Sequence, residues 1–137
     1  MRTNHSVRAI AFDRDDRLIL IRRVRPGGET YWVTPGGGVD DDDADLVSAL
    51  HRELYEELHA DVEIGEEVLT LNEEGIETHI FQARILEMAP KLRTGAEFRD
   101  PSKGTYDVHC IEQTTEAIVP LNLQPAALKQ FLIDRLP

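Results

Sequence analysis

Glu53, Glu56 and Glu57, in the run Arg52-Glu53-Leu54-Tyr55-Glu56-Glu57, stand at i, i+3 and i+4. On a helix that spacing places three carboxylates on one side. From Val47 to Leu58 the apolar residues Val47, Leu50, Leu54 and Leu58 recur at helical spacing with no Pro or Gly between them, which predicts an amphipathic helix. At about 100° per residue, Glu57 falls within roughly 20° of Leu50, at the margin of the apolar stripe. A carboxylate there is partly desolvated and repelled by its two neighbours, so it needs a compensating partner or it takes up a proton. A solvated acidic face is the plain alternative. Gly36-Gly37-Gly38, read as a Gly-rich turn just upstream, favours ligand binding, because backbone without side chains admits close approach and leaves the Gly37 carbonyl available to an ion. A hard divalent cation, Mg²⁺ or Mn²⁺, is the economical partner, since such ions favour a few carboxylate oxygens together with water and substrate phosphate.

These residues carry a family resemblance. The segment from Gly38 to Ala60 resembles the Nudix box, G-x5-E-x7-R-E-U-x-E-E-x-G-U, with U a bulky aliphatic residue. Gly38, Arg52, Glu53, Leu54, Glu56 and Glu57 match in register, and the preceding Trp32-Val33-Thr34-Pro35-Gly36-Gly37 is also similar to the family. Ala44 stands where the first Glu belongs, His59 replaces the Gly, and Ala60 is a small residue in the last aliphatic position. Asp43 and Asp45 flank Ala44 out of register. The acidic run is read chiefly as a solvated loop and helix N-terminus, where negative charge meets the helix dipole favourably. The Gly of the box is expected to serve a left-handed turn after the helix, so His59 matters less to the chemistry.

The resemblance implies an α/β/α sandwich with a mixed β-sheet, formed by residues 1–137 as a single Nudix hydrolase domain. It implies a Mg²⁺- or Mn²⁺-dependent pyrophosphohydrolase that splits a nucleoside diphosphate linked to a moiety X, a nucleoside triphosphate being the default, into a nucleoside monophosphate and phospho-X. Glu56 and Glu57 would be metal ligands, and Glu53 a ligand or the base that takes a proton from water. Arg52 would hold the glutamates in place by pairing with a nearby carboxylate. The family also draws a further Glu from the downstream loop; Glu97 is the candidate by position, an exposed loop acid being the other reading. A homodimer is expected by family analogy alone. A second function class, a Nudix-like nucleotide-binding or regulatory module with little turnover, is motivated by Ala44, His59 and Ala60.

The elements that must position this chemistry read in order. Val7 to Phe12 and Leu18 to Ile21 are expected to form a hairpin across Asp13-Arg14-Asp15-Asp16, and Tyr31-Trp32-Val33 a short strand. Arg22, Arg23 and Arg25 are the densest basic cluster; solvated strand-end charges are one reading, and a substrate phosphate met by Arg23 is the other. Trp32 is read as core or rim packing, with base stacking in the substrate cleft as the functional alternative. After the helix, Val62-Glu63-Ile64 and Val68 to Leu71 are expected as two short strands and Ile76 to Met88 as a longer one, then a polar loop over 91–103. Tyr106 to Ile111 reads as a strand, with His109 facing its neighbours or solvent. Pro125 opens a terminal helix whose buried face is Leu128, Phe131, Leu132 and Leu136.

At 137 residues, 41% hydrophobic and 30% charged, the chain suits one ordinary domain. A formal charge of −11 disfavours non-specific nucleic-acid binding, which depends on Lys and Arg, yet a bound cation reverses the local field for a small nucleotide-type substrate. No apolar run is long enough to span a membrane, the N-terminal residues lack a signal peptide's apolar core, and the single cysteine, Cys110, is expected to be a buried structural thiol. These features point to the cytoplasm. The aspartate run fails as a calcium loop, with Leu46 in the place of the required Gly and Arg52 in that of the bidentate Glu. Neither a P-loop nor a dinucleotide-binding G-x-G-x-x-G is present.

Overall fold

Successive side chains of a strand point to opposite faces, and three strands here use that alternation to build two cores. The computed structural model describes residues 4–90 and 105–136. In β1 (His5–Phe12), Val7, Ala9 and Ala11 face one side and Ile10 the other; in β2 (Leu18–Val24), Ile19 is opposed to Leu18 and Leu20. β6 (Ile76–Met88) repeats the pattern with Phe81, Ala83 and Ile85 against Ile80. Ala49, Leu50, Leu54 and Leu58 of α1 (Leu46–Leu58) close the first core. Ile118 of α2 (Thr115–Ile118) and Leu128 and Leu132 of α3 (Ala126–Asp134) close the second. The result is the α/β/α sandwich with a mixed sheet.

The described sheet has the order β3-β2-β1-β6-β5, with β3 at Thr30–Val33 and β5 at Ala60–Glu73. β1 and β6 run parallel from His5↔Glu77 to Phe12↔Arg84; the other named pairings are antiparallel. β7 (Thr105–Ile111) pairs with β2 along its length, Arg23 opposite Tyr106.

Several expectations need correction. Gly36–Gly38 is a short strand, β4, not a turn: it pairs antiparallel with β1 through Ser6↔Gly38, Val7↔Gly37 and Arg8↔Gly36. Gly36 has φ +148, and a side chain there would strike the Val7 backbone; close packing of two main chains is what selects glycine. The two short strands expected after α1 are one strand, β5, kept continuous by irregularities at Asp61/Val62, Ile64/Glu67 and Glu67/Leu69. Such bulges bend a strand without ending it, which explains the break in its apolar pattern. Val47 is not in the buried stripe but 39% exposed. Cys110 is exposed, not buried. Partial desolvation of the sulfur first, and then the neighbouring Asp13 carboxylate, push its thiol up, away from the reactive thiolate. The helix α2 went unread because its four residues are too few to show a period. Residues 91–103 and Glu97 lie outside the described residues.

Candidate active site

Asp45 starts α1. Its side chain accepts from the Ser48 N–H at 2.8 Å, satisfying one of the free donors of the first turn. The helix ends at His59, whose φ and ψ of 47° and 51° make the left-handed turn that the box assigns to glycine. Between these ends the helix packs on the sheet so that Glu57, 5% exposed, meets β4. Its Oε1 accepts from the Gly36 N–H at 2.7 Å. Glu53 lies one turn earlier, against Gly37, where an added Cβ would overlap its carboxylate. The glycine strand and the helical glutamates therefore fit against each other as one unit.

Arg52 organises the acids. Its Nε and Nη2 donate to the two oxygens of Asp43 at 3.0 and 2.9 Å, Nη1 donates to Glu53 at 2.9 Å and to Glu56 at 3.1 Å, and Nη2 also donates to the Gly38 carbonyl at 2.9 Å. The fork-to-fork pair with Asp43 fixes the guanidinium plane. The hydrogen bonds from Arg52 hold the Asp43 carboxyl below its usual range against the opposing effect of desolvation. The same bonds, Asp43 first, push the guanidinium pKa further upward. Asp43, 8% exposed at its side chain, thus takes up Arg52 beside Ala44, which is exposed. A carboxylate next to the empty box position was visible in the sequence; its pairing with Arg52 became clear only when the loop closed.

The donors gathered here are oxygens alone, the type a hard divalent cation prefers. One guanidinium faces Asp40, Asp43, Glu53 and Glu56 within 3.5 Å, so the acids outnumber the cation that organises them. The chemistry of this set fits a divalent ion, with Glu53, Glu56, Glu57 and the Gly37 carbonyl as the groups able to hold it. Among the described residues, the glutamates do not themselves close into a cage. The one trio of His, Cys, Asp or Glu side chains whose ligand atoms all lie within 4.8 Å of one another is His5, Glu77 and His79.

A cleft of about 980 Å³ opens beside β4, lined among others by Ser6, Arg8, Gly37, Gly38, Thr78 and Gln124. Its size suits a small-molecule ligand. Arg8, which the sequence reading passed over, is anchored there by donating to the Thr34 carbonyl at 2.8 Å. Trp32 is half-buried against the second core, edge-on to His109 at 5.0 Å, and does not line the cleft. Arg23 lies between two rings, 4.0 Å from the Tyr106 centroid and 5.4 Å from that of Tyr31, with Nε buried and without a hydrogen-bond partner among the described residues. Four residues on from Ile19, it shares the sheet face that α1 covers.

A NUDIX domain family model matches residues 2–121. Solved structures agree. The E. coli ORF135 protein is 26% identical, with a TM-score of 0.62 over 94% of this chain and 85% of that one. A MutT protein from Methanosarcina mazei Go1 is 18% identical, with a TM-score of 0.65 over 95% and 90%. An ADP-ribose pyrophosphatase from Streptococcus suis 89-1591 is 19% identical, with a TM-score of 0.64 over 95% and 89%. No curated protein matches the chain by sequence. The chain belongs to the Nudix family, and with it to the hydrolases that act on pyrophosphate bonds. Members of that family generally use divalent metals.

Proposed function

We propose that this protein is a Mg²⁺- or Mn²⁺-dependent pyrophosphohydrolase that cleaves a nucleoside diphosphate linked to X, with a nucleoside triphosphate as the default substrate. The observation that carries the reading is the seating of Glu57 on the Gly36 N–H, with Arg52 drawing Glu53 and Glu56 to the same edge of β4. Water must attack phosphorus in a polyanion. A divalent ion neutralises the phosphate oxygens, orients the groups and lowers the pKa of bound water. Glu56 and Glu57 would hold it, Gly37 would offer a carbonyl, and Glu53 would be a ligand or the base, a role worth about 10²–10⁴-fold in rate. Arg52 touches no reacting atom; it positions the acids. Arg23, whose Nε is buried without a hydrogen-bond partner among the described residues, is the candidate for a substrate phosphate, although it is not among the residues that line the cleft.

The test is a panel of nucleoside triphosphates, nucleotide sugars, dinucleoside polyphosphates and ADP-ribose, each with and without metal. Metal-dependent release of a nucleoside monophosphate is expected for at least one. Saturable binding with no product from any would overturn the reading in favour of a regulatory module. Glu57→Gln keeps an oxygen that accepts from Gly36 but removes the charge. It is expected to abolish turnover with the circular dichroism spectrum unchanged; wild-type-like rates would remove Glu57 from the mechanism.

A further inference from the structure

On the sheet face that α1 covers, the parallel pairing of β1 and β6 sets His5 opposite Glu77, and the two-residue strand period puts His79 on the same face as Glu77. Three ligand atoms converge. His5 Nδ1 lies 3.2 Å from His79 Nε2 and 3.2 Å from Glu77 Oε2, and His79 Nε2 lies 3.1 Å from Glu77 Oε2. The triangle is nearly equilateral. Tetrahedral bonds of about 2.0–2.1 Å to a zinc ion hold their ligand atoms about 3.3 Å apart, so an ion roughly 1 Å off this plane meets all three at bonding distance.

The protons point the same way. Glu67 Oε2 lies 2.8 Å from His79 Nδ1, and the Thr70 hydroxyl donates to the same carboxylate oxygen. With Nδ1–H given to Glu67, a neutral His79 presents a bare lone pair at Nε2. Glu77 can only accept, so a single hydrogen, on His5 Nδ1, is left to be shared between two acceptors, His79 Nε2 and Glu77 Oε2. A carboxylate behind a histidine that turns its other nitrogen inward is the usual support of a metal-bound imidazole.

We propose that His5, His79 and Glu77 form a second metal site, selective for a borderline-soft divalent ion such as Zn²⁺, separate from the oxygen-only box. Two imidazoles and one carboxylate suit zinc and leave a fourth position for water. Mg²⁺, which prefers oxygen ligands, does not compete for it. The ion ties the start of β1 to β6 and, through Glu67, to β5. It also steadies β4, since the Val39 N–H donates to the His5 carbonyl at 3.0 Å and Ser6 pairs with Gly38.

The test is equilibrium dialysis of the untagged full chain against Zn²⁺ in excess Mg²⁺, with metal analysis, Co²⁺ visible absorption and thermal melting. One Zn²⁺ per chain, a tetrahedral Co²⁺ spectrum and a Zn²⁺-dependent rise in melting temperature are expected. Glu57→Gln should retain all three. His5→Ala, at a half-exposed position, and His79→Ala should each weaken zinc binding by about 10-fold or more, beyond the lower end for lost metal support. Absence of zinc uptake by the parent chain would overturn the proposal, as would parent-like affinity in His5→Ala or loss of the ion in Glu57→Gln.

Discussion

Arg52 holds Glu53 and Glu56 through Nη1 while Asp43 takes its Nε and Nη2, so the acid beside the missing box glutamate is a positioning residue. The folded Asp43 pKa lies below its ordinary 3.8. Its contribution to stability is therefore fully present above that value and lost as the pH falls through the folded pKa. Asp43→Asn is expected to cost about 1–3 kcal/mol at neutral pH by weakening charge-assisted bonds, and the gap to the parent should close as the pH drops below 3.8. Urea titrations across pH check this; a constant gap would remove the ionised pair as the cause. At Gly37 the issue is contact. Gly37→Ala pushes a methyl group into the Glu53 carboxylate, so turnover should fall while the melting temperature moves little. Unchanged steady-state rates would show that the Glu53 position is not critical.

The box helix is held at both ends by local chemistry. Asp45 caps its start, and His59 pays the cost of a left-handed residue with a side chain at its end. The His59 ring also lies tilted against Tyr55, centroids 4.5 Å apart, and leaves Nδ1 buried without a hydrogen-bond partner among the described residues. His59→Gly should therefore stabilise the fold by about 1 kcal/mol, the scale of the left-handed penalty, read as a higher denaturation midpoint. A lower midpoint would mean that the Tyr55 contact outweighs the backbone strain. The same element explains why Glu57 is buried: its angular position beside Leu50 was readable from spacing, and the helix does bury Leu50, Leu54, Leu58 and Glu57. Spacing did not show what Glu57 would meet, because Gly36 comes from a strand 21 residues earlier.

For the whole molecule, a chain of net charge −11 gathers acids at one edge of its sheet, and ions that bind only the native state stabilise it by mass action. Mg²⁺ with a nucleotide is expected to raise the melting temperature of the parent more than that of Glu57→Gln. Equal shifts in the two would place the ion elsewhere. Among the described residues no helix is long and apolar enough to cross a membrane.

Local order along the chain was enough to determine the box helix, its acidic side, most strands and the family, because periods of two and 3.6 residues and a motif in register are properties of neighbours. Where pairing partners lie far apart, only the folded sheet decided. It made the triple glycine a strand on β1, and it joined the two apolar segments of β5 across bulges. It also brought His5 to His79 across 74 residues. The physical reason is that strand register is a contact between distant segments, fixed when both faces of the sheet are buried, and no interval measured along the sequence encodes it.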